Sequence, residues 1–153
     1  SPTITSVDLA GPVGKSEFDF TLQEEAQCEV EYGSVDSFLF EPNASMLKAG
    51  AFKLFARSYK VTKLHVNTHL YTSSEDRNKL PGRRFRVIAG IKPRASDVDR
   101  YFPNGLANIL VRNAPVTPDE VKRKTGLREG GNLFLIVFRD VAAVNWVVAE
   151  PIS

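Results

Sequence analysis

The stretch ANILVRNAPVTPDEVKRKTGLREGG, residues 107–131, decides the fold. Its opening alternates, with Ala107, Ile109 and Val111 to one side and Asn108, Leu110 and Arg112 to the other, the period of a strand with one more apolar face. Pro115 has no N–H to give a ladder, so pairing stops before it. Thr117-Pro118-Asp119-Glu120 then holds the parts of a helix start: a hydroxyl cap, a proline suited to the first turn, and a glutamate three residues on to close a capping box. Asp119 and Glu120 fall at the positive end of the helix dipole, and Lys122, Arg123 and Lys124 toward its negative end. Gly126 suits a left-handed stop and Gly130-Gly131 a turn, leading into the apolar run 133–138. The stretch reads strand, short basic helix, double-glycine turn, strand.

Working outward, residues 83–92 alternate as a basic strand: Phe85, Val87, Ala89 and Ile91 against Arg84, Arg86 and Lys92. Ser96 is positioned to cap a short helix to Phe102, and Pro103-Asn104-Gly105 turns into the central stretch. Beyond it, residues 133–138 and 143–149 form a hairpin around Asp140-Val141-Ala142, with Trp146 as a core or interface anchor. This half therefore reads β-α-β-α-β-β, a small α+β sheet unit.

The first half is less regular. Residues 3–9 and 16–22 are strand-like, separated by the breaker Gly11-Pro12-Val13-Gly14, and Phe18, Phe20 and Leu22 alternate with acids. A further strand is expected over residues 26–32. Asn43 caps a helix over residues 44–59, with Leu47, Ala51, Leu54, Phe55 and Ser58 on one face and Lys53, Arg57 and Lys60 on another. Residues 63–72 alternate as a strand. His65 and His69 would then stand ~13 Å apart along it, too far to share one zinc. Residues 73–81 are polar, end at Pro81-Gly82 and mark a boundary.

The chain has 153 residues, 42% of them apolar, enough for one ordinary domain or two small ones packed together. No run approaches the ~20 apolar residues of a membrane span. The start, Ser1-Pro2-Thr3, has neither a signal pattern nor an initiator methionine, as expected of a fragment or a processed chain. The lone Cys28 excludes an internal disulfide and fits a reducing cytoplasm. Net charge is only +2, but residues 1–41 carry −8 and residues 42–94 carry +10. A basic field of that kind is what a polyanion meets. The same swing arises if the acidic start and basic middle attract one another within the fold, and the sequence leaves both open.

No catalytic set emerges. There is no nucleophile elbow, no metal-ligand spacing and no Gly-rich nucleotide loop, and Gly11-x-x-Gly14 lacks the spacing of a phosphate loop. The sequence thus supplies no catalytic, cofactor-binding or metal residues.

Several blocks carry a resemblance. They are Val111-Arg112-Asn113-x-Pro115, Thr117-Pro118-Asp119-Glu120 and Gly130-Gly131. Earlier come Phe40-Glu41-Pro42-Asn43-Ala44-Ser45, Lys48-Ala49-Gly50-Ala51-Phe52, Lys63-Leu64-His65-x-Asn67-Thr68-His69-Leu70-Tyr71-Thr72 and Pro81-Gly82-Arg83. In order and content they resemble the C-terminal region of bacterial class I S-adenosylmethionine-dependent methyltransferases, best represented in Bacteroidetes, where a ferredoxin-like module precedes a THUMP-like domain. Ala114, Val66 and Asn132 depart from that pattern, which has an aromatic residue, Pro and Asp there. The resemblance implies an α+β fold of two small mixed sheet subdomains. Residues 1–29 would be a strand-rich lead-in from a methyltransferase domain absent from this chain, 30–80 the ferredoxin-like module and 81–153 the THUMP-like domain. It also implies that S-adenosylmethionine belongs to the absent domain, and that this region is a non-catalytic accessory of a cytoplasmic enzyme. The expected partners are that domain in cis and structured RNA, with no membrane. Arg83, Arg84, Arg86, Arg112, Lys122, Arg123, Lys124 and Arg128 are the candidates for phosphate contact. The alternative is a structural or homodimerising module that touches no RNA.

Overall fold

The computed structural model describes residues 3–11 and 14–153, with side chains from Thr21 onward. Strands β1 (Thr3–Gly11) and β2 (Gly14–Thr21) pair antiparallel as a separate two-stranded sheet. Pro12 and Val13 of the expected breaker, and the side chains of Phe18 and Phe20, lie outside the described residues.

Seven further strands form one sheet: β3 (Phe38–Pro42), β4 (Thr62–His65), β5 (Thr68–Ser73), β6 (Gly82–Gly90), β7 (Leu106–Arg112), β8 (Arg128–Arg139) and β9 (Val144–Ile152), ordered β4-β5-β3-β6-β9-β8-β7. Only β7 and β8 run parallel, and the crossover helix α5 (Pro118–Thr125) joins them. The second half is thus β6-α4-β7-α5-β8-β9, with α4 spanning Ala95–Tyr101, the order that its periodicity gives. The α+β class holds, but the sheets of the two units are continuous. Strand β3 of the first half pairs along its length with β6 of the second. The join is close: a Cβ at Gly82 would lie 2.0 Å from the Glu41 carbonyl oxygen, so that position accepts only glycine.

Apolar residues cover both faces. Helices α2 (Ala44–Ala49) and α3 (Phe52–Tyr59) pack Met46, Phe55 and Ala56 against Phe40 and Tyr71. Helices α4 and α5 pack Val98, Phe102 and Val121 against Leu135, Val137 and Val148. On the opposite face one cluster takes residues from all seven strands, from Leu64 on β4 to Leu110 on β7. These are the two edge strands, so the sheet must coil far enough to bring its own edges together. Polar bonds close the seam. The Thr68 hydroxyl donates to the Arg139 carbonyl at 2.7 Å and accepts from Asn113 Nδ2 at 2.9 Å.

Four local expectations need correction. The helix over 44–59 is two helices, because Gly50 adopts a left-handed conformation (φ 74°) and ends α2. Residues 63–72 are a hairpin with Val66-Asn67 at its turn, so His65 and His69 lie on different strands. No strand covers 26–32: Thr21 and Glu24 form a capping box that starts a helix, α1 (Leu22–Gln27), and this local signal overrides the alternation. Cys28 is accordingly a buried residue at the end of a helix, not a strand residue. Ser96 lies inside α4, whose cap is Arg94.

The box at Thr117 is present in full, with Glu120 N donating to Thr117 Oγ1 at 3.2 Å and Thr117 N to Glu120 Oε1 at 3.2 Å. Thr117→Ala is expected to cost about 1 kcal/mol in chemical denaturation, the usual value of such a cap. An unchanged midpoint would mean that the box contributes nothing.

Candidate nucleic-acid interface

The eight candidate cations do not form one surface. Glu41 on β3 is 6% exposed, and its two oxygens accept from different strands. Oε1 takes Arg83 Nη2 of β6 at 2.8 Å, and Oε2 takes Arg112 Nε of β7 at 2.6 Å. Arg84 pairs with Asp76 and donates to the Ser153 carbonyl. Arg86 pairs with Glu150 across β6 and β9, in a wet surface bridge that contributes at most about 1 kcal/mol. Lys122 pairs with Glu129 at 3.6 Å. Five of the eight are therefore engaged with carboxylates inside the fold.

Arg123, Lys124 and Arg128 are exposed and carry no ion pair among the described residues. Their placement follows from the local structure. Val121 is fully buried beneath α5 and fixes the helix's rotation, which turns Arg123 and Lys124 outward in its last turn. Gly126 ends the helix and Arg128 opens β8 two residues later. Because β7 and β8 are parallel, both begin at the same end of the sheet. The loop from α4 into β7 and the turn from α5 into β8 therefore converge there.

At that end β8 departs from regular pairing. Ala107 is opposite Glu129 but Asn108 is opposite Phe134, so residues 130–133 bulge out of the ladder. Asn108 Nδ2 holds the bulge by donating to the carbonyls of Gly131 (2.9 Å) and Leu133 (3.3 Å). Between bulge and loop lies an open cleft of about 220 Å³, with Tyr101, Asn104 and Asn132 on its walls. The expected turn at Gly130-Gly131 is instead a bulge inside β8, and the cleft depends on the β7/β8 register, which the sequence does not display.

The two histidines have separate surroundings. His65 Nδ1 accepts from Asn67 N. His69 stacks on Phe52 at 3.7 Å, and its buried Nδ1 has no hydrogen-bond partner. Burial, and then the Lys63 charge, hold His69 below the usual imidazole value. Lys63 is almost fully buried, and its ammonium donates to the carbonyls of His65, Val66 and Thr68 at 2.7–3.0 Å. Burial lowers it to about 8, opposed by the charge of Glu25. Glu25 accepts from Lys53 N and Leu54 N at the start of α3, and burial outweighs those bonds to raise its carboxyl. Among the described residues no group of three or more His, Cys, Asp or Glu could hold a metal, and no helix is long and apolar enough to cross a membrane.

Comparison with known proteins agrees with this architecture. Residues 38–81 match a family described as a ferredoxin-like domain, and residues 82–151 one described as THUMP domain-like. No curated protein matches the chain. A crystal structure of a proposed methyltransferase from Porphyromonas gingivalis W83 superposes over 99% of the chain, with a TM-score of 0.86 and 29% identity. This chain spans 38% of that protein's length. The boundary between the two matches falls between Pro81 and Gly82, within the single seven-stranded sheet.

Proposed function

We propose, from the premise that this chain joins a ferredoxin-like domain to a THUMP-like domain, that it is the RNA-engaging accessory region of an S-adenosylmethionine-dependent methyltransferase. Three lines support the reading: the two matched families, the likeness to a chain described as a methyltransferase, and the arrangement of charge. The single observation that carries it is the last. Arg123, Lys124 and Arg128 stay exposed and free of carboxylates while the neighbouring cations are neutralised within the fold. Exposed cations of this kind exchange condensed counterions for phosphate contacts without reading bases. The methyltransferase domain would be the partner in cis, and S-adenosylmethionine would bind there. With the lone thiol Cys28, the site of action would be cytoplasmic, away from membranes.

Arg123, Lys124 and Arg128 replaced together by Glu should remain folded by circular dichroism and lose most affinity for a structured RNA hairpin. Reversing Arg86, whose charge Glu150 already meets, should change affinity little. Titration of S-adenosylmethionine into this chain is expected to give no saturable heat, and micromolar binding would oppose the division of labour.

A second reading has its own observation. Glu41, Arg83 and Arg112 tie three strands of the common sheet together, a structural use of cations that were candidates for phosphate contact. On that reading the region braces or dimerises the methyltransferase. The triple replacement by Glu would then leave its solution behaviour with RNA unchanged.

A further inference from the structure

The cleft beside the free cations has features that charge alone does not require. Its lining residues are mixed: Tyr101, Asn104 and Asn132, apolar Leu106 and Leu133, and Gly131. At about 220 Å³ it is smaller than the ~300–1,000 Å³ pockets that enclose drug-sized ligands, and it suits one flat ring system. The bulge that forms one wall is held by the two bonds from Asn108. Gly131 sits at φ 74°, so a side chain there would strain the backbone, although its Cβ would meet Leu106 Cβ only in ordinary contact at 3.4 Å. The exposed Arg100 guanidinium lies over the Tyr101 ring, 5.4 Å from its centroid, so a flat cation accompanies the aromatic residue of the lining. Arg128 is paired with Leu106 in the β7/β8 register, so it borders the cleft, and Arg123 and Lys124 lie in the last turn of the helix that leads into it.

We infer that this cleft takes the extruded base of one unpaired nucleotide, whose flanking phosphates lie on Arg123, Lys124 and Arg128. A base presents a π face and an edge of donors and acceptors. An aromatic ring meets the first, and side-chain amides, which both donate and accept, meet the second. A continuous duplex keeps its bases stacked inside and offers nothing to such a cleft. The inference rests on the RNA reading above and adds a single-nucleotide site to it.

The test is a fluorescence-anisotropy titration of the whole chain with two labelled RNA hairpins, identical except that one carries a single unpaired nucleotide in its stem. The wild type should bind the bulged hairpin roughly tenfold more tightly, the scale of one base–aromatic stack. Tyr101→Ala should lower bulged-hairpin affinity to that of the paired hairpin without changing the latter. Asn132→Trp, at an exposed position, should do the same by filling the cleft with Tyr101 still in place. The triple replacement by Glu should weaken both hairpins and preserve their ratio. Equal wild-type affinity for the two hairpins, or a preference that survives both cleft variants, overturns the cleft inference and leaves the RNA reading intact. Absence of binding to either hairpin at low salt overturns both.

Discussion

Glu41→Ala is expected to lower the stability of the whole chain by about 2–3 kcal/mol, the scale of hydrogen bonds to a charged group whose partners keep contact with water. The carboxylate is buried and joins β3 to β6 through Arg83 and to β7 through Arg112. Removing it takes the counter-charge from two arginines that are both partly exposed. Arg83 is 52% and Arg112 38% exposed, so water compensates both in part and the loss stays below that of a fully buried pair. Because the bridge spans both matched domains, urea denaturation of the wild type and of the variant should each show a single transition, with a lower midpoint in the variant. Two separated transitions in the wild type would contradict a shared sheet. A loss below about 1 kcal/mol would mean that Glu41 is as replaceable as a surface pair.

Lys63→Met is the second large effect, expected at about 2–4 kcal/mol. Two contributions oppose one another. The methionine removes the burden of a buried charge, which favours the variant. It also leaves three carbonyls of the β4/β5 turn without their donor, at about 1–3 kcal/mol for each that water cannot reach. The loss counts in full at the Thr68 carbonyl and in part at the part-buried His65 and Val66 carbonyls, which together outweigh the one charge. The pH dependence gives a separate signature. Folding lowers Lys63 from 10.5 to about 8, so between those values the unfolded chain holds a proton that the folded chain has released. Stability from this group therefore rises with pH across that window. His69, also lowered by folding, makes stability fall as pH drops through the ordinary imidazole range. Denaturation midpoints of wild type and Lys63→Met at pH 7.5 and pH 10 should diverge least at the lower pH. A constant difference would mean that Lys63 does not titrate in that window.

The second half of the fold is legible in the sequence because its signals are local and agree with one another. Thr117 and Glu120 cap, Val121 packs inward, Gly126 stops the helix, the alternation before it is strand β7, and the apolar run after it is the buried part of β8. The first half is less legible where two local signals compete. Alternation through Leu22 points to a strand, whereas Thr21 and Glu24 build a helix that leaves Leu22 55% exposed. Alternation across residues 63–72 likewise hides a hairpin, because Val66-Asn67 is a turn without glycine. The candidate interface is the hardest part to read. Nothing local distinguishes Arg112, pulled inward by a glutamate 71 positions away, from Arg128, which stays free. Pairings at that range exist only once the sheet has coiled.

The salt dependence of RNA binding tests the functional account most directly. Affinity of the wild type for a structured RNA hairpin should fall steeply between about 50 and 200 mM salt, with each phosphate contact adding roughly 0.7–0.9 to the log–log slope. The Arg123, Lys124 and Arg128 triple replacement by Glu should flatten that slope by about 2–3 while the chain stays folded. A folded variant with the wild-type slope and affinity would contradict the account, as would a wild type that binds no RNA at the lowest salt.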